Sequence, residues 1–481
     1  MGTAFSWFLA RSYLLARRVN LLGMGGVALS VWALIVVVAV FSGFIKGIRS
    51  NIRNATPELL ITDLPTESSF EEVYGRVEDD PDVVAGSPRL RHYGLYYPIG
   101  RGATRLQRSD EAPLSALAFE YVELVGIDSE LESTVVNLRS WLENASRKVE
   151  DLDHPLTVSK QQFARARELG NAQPLASDRR RLRTPPGILF GAYRTRASRM
   201  IRGQEVSLVS ARMDRSDPGK PELRKIRRVF AFSGAFNSGH QVFDQTGGLV
   251  DIEQLRTMLG HDAGDPASVD LVTDVALRIR AGADLDTVAA RLRDKVGDAS
   301  VLTWEQQNSL FLGAVDQERG MMKLILFAIA VVSTFLIYAT MHMMVTQKIK
   351  DIGILSALGS SPRGIKQLFL ICGVTIGGVG CTVGALIGCT TAIYLDAIDR
   401  YVIRGVVSDV ATFVSELVGG GAVQLELFPS QLFDLEQIPI VLEPTWIMQV
   451  VCGAFAMTLI AAWLPAHRAA RFQPVRALGY E

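Results

Sequence analysis

The sequence has few of the residues on which enzyme chemistry depends. Its four cysteines, Cys372, Cys381, Cys389 and Cys452, all lie in apolar stretches, so we expect neither a disulfide framework nor a thiolate metal site. The chain contains no G-x-x-x-x-G-K-[ST] phosphate loop, no Gly-x-Ser-x-Gly nucleophile turn and no His-Glu-x-x-His zinc helix. Its six histidines are scattered. We therefore expect a protein that is not an enzyme and that has no catalytic residue, metal or cofactor of its own.

The chain as a whole also has no net charge. The 50 Lys and Arg residues balance 50 Asp and Glu residues, which gives no reason to expect a nucleic-acid partner. Charge is missing altogether from four apolar windows, 21–45, 324–346, 367–395 and 445–464. Crossing a bilayer takes about 20 such residues, so the sequence predicts four transmembrane helices. These windows contain no Asp, Glu, Lys or Arg that would pair with His342, so we interpret it as a packed or interface histidine rather than a proton relay.

The distribution of Lys and Arg predicts how the chain is oriented. Residues 1–20 hold three Arg and no acid, and are interpreted as an amphipathic cytoplasmic helix or as the start of the first transmembrane helix. The loop 347–366 and the tail 465–481 are also basic, whereas 396–444 holds eight acids and two Arg. Because cytoplasmic segments are enriched in Lys and Arg, both termini and 347–366 are predicted to be cytoplasmic. The loop 396–444 and the domain 46–323 are then extracytoplasmic, and the first apolar window is too long for a signal peptide.

The domain 46–323 mixes strand-like and helix-like segments, which is typical of an α/β or α+β fold. Strand-like runs are Leu59–Thr62, Tyr121–Ile127, Glu205–Ser210, Arg228–Ser233, Gly248–Ile252 and Ser268–Ile279. Residues 136–186 are more polar and are interpreted as an insert, either a subdomain or a partly mobile arm. The predicted fold is four transmembrane α-helices with a large α/β (α+β) domain between the first and the second.

The loop 347–366 is too apolar to be an ordinary solvated loop. Apolar residues cover most of a helical surface there, Gly359 favours a helix end, and Ser361-Pro362 favours the start of the next helix. A helix of this kind needs something to bury it, so we predict a docking helix. Its candidate docking residues are Ile349, Asp351, Ile352, Gly353, Leu355, Ala357, Leu358 and Gly359.

Glycines recur at intervals of four in the third apolar window. Gly380, Gly384 and Gly388 share one helix face, and small residues at this spacing allow close packing of membrane helices. The face is interpreted either as a dimer or gating interface or as tight packing within one chain.

Several motifs occur in order along the chain. They are Gly26–Ser30 and Val40–Phe44, Gly187–Gly191 with Gly203–Ser210, Phe232–Phe236 with Gly239 and Asp244, Lys350–Ser360, and the tail 465–481. In this order and on this topology they resemble the permease subunits of the FtsX/MacB superfamily of ABC transporters, and within it the lipoprotein-releasing permeases LolC and LolE. Gly234, Gly239 and Asp244 match the motif of the family's outside domain. The segment 136–186 has no counterpart in the family pattern.

The resemblance implies a specific machine. Two permease chains, alike or different, pair in the inner membrane of a Gram-negative bacterium, in contact with its lipids. They bind a cytoplasmic LolD-like ABC ATPase, which holds ATP and Mg²⁺ and docks on 347–366. The implied cargo is a lipoprotein, handed to a periplasmic LolA-like carrier. The alternatives are MacB-like efflux, FtsX-like regulation of periplasmic hydrolases, or a membrane-anchored binding protein without transport.

Overall fold

The computed structural model describes residues 7–8, 10, 12, 18–65, 68–99, 119–170, 184–198, 200–214, 222–261, 270–417 and 440–471. The chain divides into two compact units. We call them the helical unit (Met1–Gly47 with Gly313–Glu481) and the sheet unit (Ile48–Leu312). Most of the predicted N-terminal helix 1–20 and the last ten residues of the tail lie outside the described residues.

Helices make up nearly all of the described helical unit and are interspersed among the strands of the sheet unit. In chain order they are α1 (Arg18–Ala55), α2 (Phe70–Gly75), α3 (Ser129–Val135), α4 (Leu138–Glu143), α5 (Lys160–Gly170), α6 (Ala192–Ser198), α7 (Gln241–Thr246), α8 (Ile252–Leu259), α9 (Leu285–Val296), α10 (Trp304–Gln307), α11 (Ser309–Gln347), α12 (Ile349–Ala357), α13 (Pro362–Ile393), α14 (Leu395–Ile398), α15 (Ser408–Leu417) and α16 (Pro444–Ala469). A π-helix, Asp399–Val407, joins α14 to α15.

In the part of the chain that the structure describes, nine strands form one sheet. They are β1 (Leu59–Thr62), β2 (Val83–Pro98), β3 (Glu120–Ile127), β4 (Gly187–Gly191), β5 (Glu205–Asp214), β6 (Glu222–Phe236), β7 (Gly247–Asp251), β8 (Asp274–Ile279) and β9 (Ser300–Thr303).

Among the described residues, four helices are long and apolar enough to cross a membrane: α1, α11, α13 and α16. Two of them extend well beyond the apolar windows that predicted them. Helix α1 continues to Ala55 and α11 begins at Ser309. The flanking sequences are polar but contain no proline, so the backbone hydrogen bonding of each helix continues through them.

Helix α13 lies against both α1 and α16 through its glycines. A Cβ atom added at Gly377 would lie 2.6 Å from Thr458 Cγ2 of α16. On the other side, a Cβ at Gly380 would lie 2.6 Å from Val27 Cβ, and one at Gly384 would lie 2.5 Å from the carbonyl oxygen of Ala28. Gly388 continues this contact one turn further, against Ile35. The glycine face therefore packs on α1 of the same chain.

The sheet is organised by its longest strand, β2. Its first half pairs with β8 and its last residues pair with β5, while its other edge pairs with β3. Strand β3 also pairs with β7, so β2, β3, β7, β4, β6 and β5 close into a ring. Strands β8, β1 and β9 extend the sheet from β2. All of these pairings are antiparallel except β3 with β7 and β4 with β6.

Aromatic side chains fill the main core of the sheet unit. The Tyr96 and Phe190 ring centroids are 4.6 Å apart, and those of Phe190 and Phe232 are 6.2 Å apart. All three side chains are fully buried. Burying side chains of this size supplies a large share of the hydrophobic stabilisation of a domain.

The predicted insert is part of the sheet unit over its described residues 136–170. Trp141, Leu142 and Leu156 are buried in a second apolar core with Phe236. The Gly187 N–H donates to Leu156 O (3.0 Å), and the Ala235 N–H donates to Arg147 O (2.9 Å). The described residues of the segment are therefore packed on the sheet unit, because their apolar side chains complete its second core. Residues 171–183 of the segment lie outside the described residues.

The buried carboxylate of Asp80, just before β2, is hydrogen-bonded to helix α9 within the sheet unit. Asp80, whose side chain is 1% exposed, accepts two hydrogen bonds from Arg291 (2.7 and 2.8 Å) and one from Lys295 (3.4 Å). The Arg291 hydrogen bonds lower the pKa of Asp80 from 3.8 to about 2. The bonds that stabilise the folded state are therefore complete above pH 4 and are lost as the pH falls through 2.

We expect Asp80→Asn to destabilise the sheet unit by about 2 kcal/mol at neutral pH, since the lowered pKa corresponds to that free energy. The difference from wild type should shrink by about half at pH 3, where the unfolded carboxyl is mostly protonated. Thermal unfolding of the full chain in detergent measures the destabilisation at pH 7 and its decrease at pH 3. As a control, Glu72→Gln breaks the exposed Arg76–Glu72 pair and should change stability by less than about 1 kcal/mol. A pH-independent difference would contradict this role for Asp80.

A second prediction concerns the helical unit. Gly384→Val should lower its thermal stability by about 1–3 kcal/mol, because the new side chain forces α13 away from the backbone of α1. Gly453→Val is the matched control, since nothing lies within 4 Å of a Cβ at Gly453 of α16. Equal melting temperatures for the two variants in detergent would contradict this prediction. The contact between α13 and α1 would then contribute little to the stability of the helical unit.

Candidate functional site

Helix α12 lies between the two long helices α11 and α13, and one of its sides faces the interior of the helical unit. Ile349 and Ile352 are 5% and 1% exposed, and Ile352 belongs to the apolar core that includes Met344, Ile365 and Leu368. Gly353 is also buried, and Leu355 is partly buried against the same core. These residues anchor α12 to its own chain.

The opposite side of α12 is exposed and apolar. Ile354 is 50% exposed and Leu358, at its end, is 79% exposed. Lys350 and Ala357 are also exposed, and the spacing 350, 354, 357 and 358 puts all four on one face. We call Lys350, Ile354, Ala357 and Leu358 the docking face.

The turn after α12 holds this face in position. Gly359 adopts φ 88°, which a residue with a Cβ rarely adopts. The Ser361 side chain then accepts from the Gly364 N–H (3.2 Å), and Pro362 is the first residue of α13. At the start of α12, Lys348 Nζ donates to Asp351 Oδ2 (2.8 Å), so Asp351 is paired within the first turn of the helix.

The predicted docking residues therefore fall on two faces. Ala357, Leu358 and Gly359 are exposed, whereas Ile349, Ile352 and Gly353 are covered by the chain itself. The helical unit itself buries one side of α12, at Ile349, Ile352 and Gly353, and the docking role of the helix stays a prediction. The candidate set also missed Lys350 and Ile354, although their spacing of four places them on the face of Leu358.

The motif that contains Gly234, Gly239 and Asp244 is a hydrogen-bonded turn in the sheet unit. Asp244 is buried and accepts from the Ser238 N–H (3.0 Å), the Ser238 Oγ–H (2.7 Å) and the Gly239 N–H (3.1 Å). Gly239 adopts φ 81°. Gly234 lies apart from the turn, on β6, where a Cβ would lie 2.8 Å from Val149 Cγ1.

This turn contacts the ends of two long helices. A Cβ at Gly239 would lie 3.4 Å from the side chain of Asn51 near the end of α1. The His240 and Phe311 ring centroids are 6.1 Å apart, which puts the imidazole beside the start of α11. Burial lowers the pKa of His240, so at neutral pH it packs as an uncharged ring. The motif thus positions helix ends and offers no catalytic group.

One His–Ser pair in the sheet unit resembles a nucleophile with its base. His92 Nε2 lies 2.6 Å from Ser210 Oγ. The Ser210 hydroxyl, however, donates to Tyr93 O (2.7 Å), so His92 is the donor to Ser210 and does not activate it. Among the described residues, no group of three or more His, Cys, Asp or Glu is arranged to hold a metal ion.

Comparisons with known proteins agree on one family. Residues 323–474 match the model of the FtsX-like permease C-terminal domain. Over 470 residues, covering 96% of this chain and 94% of the relative, the chain is 23% identical to the lipoprotein-releasing system transmembrane protein LolC of Neisseria meningitidis. It is also 26% identical to LolE of Haemophilus influenzae over 235 residues, which cover 49% of this chain and 51% of that protein.

One solved structure, the periplasmic region of MacB from Actinobacillus actinomycetemcomitans, aligns with 56% of this chain and 95% of its own. The identity is 8% and the TM-score is 0.26, values too low to indicate a shared fold. The sequence matches confirm the resemblance that the motifs predicted: the last third of the chain is similar to FtsX-like ABC transporter permeases, and the lipoprotein-releasing permeases LolC and LolE are among the relatives of the whole chain.

Proposed function

We propose that the protein is the permease subunit of an ABC transporter that releases lipoproteins from the inner membrane, driven by a separate cytoplasmic ATPase. The observation that carries the proposal is the docking face on α12. It is an exposed apolar surface on a short helix between two long apolar helices, in a region matched by the FtsX-like permease model. Such a surface favours a protein partner.

The topology we propose places α12 in the cytoplasm. Helices α1, α11, α13 and α16 cross the inner membrane with both termini inside, which follows from the excess of Lys and Arg in the cytoplasmic segments. The sheet unit and the segment between α13 and α16 are then periplasmic. A second permease chain, identical or not, completes the transporter.

In the mechanism we propose, the partner ATPase binds ATP and Mg²⁺, and this chain transmits its movement. The ATPase pushes on Ile354 and Leu358, and the buried side of α12 passes the displacement to α11 through Ile352 and its core neighbours. Helix α11 is unbroken from Ser309 to Gln347. At its start, the His240 turn transmits the displacement to the sheet unit.

The cargo assignment rests on the relatives. The match to LolC, a lipoprotein-releasing protein, covers nearly the whole of both chains, which supports a lipoprotein cargo. We propose that a periplasmic LolA-like carrier receives this cargo. MacB-like efflux and FtsX-like control of hydrolases would use the same helices and the same ATPase contact with a different output. A binding protein without transport would need no docking face.

The first test identifies the partner and the output. When the protein is purified from its own membrane in mild detergent, an ABC ATPase should accompany it. Proteoliposomes containing the complex should release a triacylated lipoprotein to a soluble carrier when ATP and Mg²⁺ are added. An ATPase without lipoprotein release would favour the alternative outputs, and the absence of any ATPase would rule out the transporter itself.

The second test separates the two faces of α12. We expect Leu358→Asp and Ile354→Asp to reduce ATPase association at least tenfold, because each places a charge in an apolar contact while leaving the helical unit folded. Ile352→Asp should instead lower the melting temperature of the permease, since it buries a charge in that unit's core. Co-purification and thermal unfolding distinguish these effects.

Val84→Asp is the matched control for the docking face. Val84 is 59% exposed but lies in the sheet unit, so this variant should retain the ATPase. If Leu358→Asp and Val84→Asp retained it equally, α12 would not be the docking helix.

A further inference from the structure

Aromatic and cationic side chains collect around the last turns of α16, outside the docking face. Trp463 is 49% exposed and stacks on His467, with ring centroids 5.3 Å apart and planes 6° from parallel. Lys366 of α13 places its ammonium 5.1 Å from the centroid of the Trp463 ring. This Trp–His–Lys group places the ammonium of Lys366 beside an indole that is half exposed.

A second group flanks α16 on the side of α11. Arg468 Nη1 donates to the Tyr338 hydroxyl (3.3 Å), and Tyr338 stacks on His342 with centroids 5.9 Å apart. Arg468 and His342 are exposed. Together, Lys366, Trp463, His467, Arg468, Tyr338 and His342 form what we call the interfacial cluster.

The cluster continues a stripe of side chains along α16. Ile460, Trp463, Leu464, His467, Arg468 and Arg471 recur at intervals of three and four residues, so they share one helix face. Along this face the chemistry changes from aliphatic through aromatic to cationic. Ile460 is 70% exposed, and Phe335, one turn before Tyr338 on α11, is also 70% exposed. This sequence of side chains matches the transition from acyl chains to headgroups at a membrane surface.

Few acidic side chains accompany these cations in the apolar parts of α11, α13 and α16. Residues 324–395 and 444–471 contain one acid, Asp351, and its carboxylate bonds to Lys348 Nζ at 2.8 Å. The charge of Lys366 and Arg468 is therefore available to an anion from outside. Phosphate groups of lipids bind basic pockets between helices at the cytoplasmic side of a membrane.

We propose that the interfacial cluster binds the phosphate headgroup of an anionic phospholipid of the cytoplasmic leaflet. Lys366 beside Trp463 and Arg468 beside Tyr338 supply the positive charge that attracts the phosphate, and Trp463 lies beside the upper acyl chains. We choose a lipid over a soluble anion or a protein because the exposed aliphatic face of Ile460 leads directly into the cluster. This inference rests on the proposed cytoplasmic position of the end of α16.

The test measures lipid contact at Trp463. The full chain, without any ATPase, is reconstituted into phosphatidylcholine vesicles that contain brominated phosphatidylglycerol or brominated phosphatidylcholine at equal mole fraction. Bromine quenches tryptophan fluorescence on contact, and subtracting the Trp463→Phe variant isolates Trp463 from the other five tryptophans. We expect brominated phosphatidylglycerol to quench Trp463 more strongly.

Neutralising the cluster should remove this preference. Each cation near a membrane surface contributes about fivefold in affinity for an anionic lipid, so Lys366→Gln with Arg468→Gln should reduce the preference about 25-fold. Arg468→Lys keeps the charge and should largely retain it. Lys323→Gln, an exposed cation near the opposite end of the apolar stretch of α11, is the matched control and should leave it unchanged.

Equal quenching by the two lipids in the wild type would overturn the inference. So would a preference that survives the double substitution. If the double variant instead lost its ATPase and the lipids quenched equally, the cluster would belong to the protein interface. The proposed function is tested separately by ATPase association, so it can stand if the lipid site does not.

Discussion

Close backbone contact along α13 is the constraint on which the helical unit depends. Apolar side chains gain little from leaving lipid for protein, so membrane helices associate through close packing rather than hydrophobic burial. Glycines on two faces of α13 make this possible, with Gly377 against α16 and Gly380 and Gly384 against α1. Helix α13 is thereby fixed between them, and its first turn, which begins at Pro362, gives the preceding α12 a fixed support.

That support explains why α12 has two different sides. Ile352 is buried in a core to which α11, α13 and α16 all contribute, so α12 cannot move without moving its neighbours. The side chains of Ile354 and Leu358, on the other side, are 50% and 79% exposed and can contact a partner. A short helix that is anchored on one side and exposed on the other is suited to passing an external push into a bundle.

Apolar composition was sufficient to predict the four long helices, because stretches without charge as long as 367–395 have few alternatives. Several strands were also predicted from β-branched runs such as Leu59–Thr62. Strand β2, around which the sheet is arranged, was not predicted. It contains Pro88, Gly86 and several basic residues, which obscure the alternation of a strand. Gly86 is required because the ring of Tyr74 occupies the space of a Cβ, a contact that only the fold reveals.

In the candidate site, too, some features were predicted from the sequence and others were not. Gly359, Ser361 and Pro362 were recognised from sequence because capping is local and depends on few residues. Which side of α12 is buried depends on the packing of helices distant in sequence, so periodicity alone placed Ile352 among the docking residues. The interfacial cluster was missed for the same reason, since Lys366, Trp463 and Tyr338 come from three separate helices.

Two of the family motifs hold the two ends of one helix, α11. At its start, the Asp244 carboxylate fixes a turn with Gly239 in the left-handed region, and His240 of that turn packs beside Phe311. At its end, α12 follows after a single residue and is itself closed by Gly359, again with a positive φ. Both turns depend on a glycine with a positive φ, which fixes the course of the backbone beside each end of α11. The proposed transmission of force along α11 requires defined connections of this kind at both of its ends.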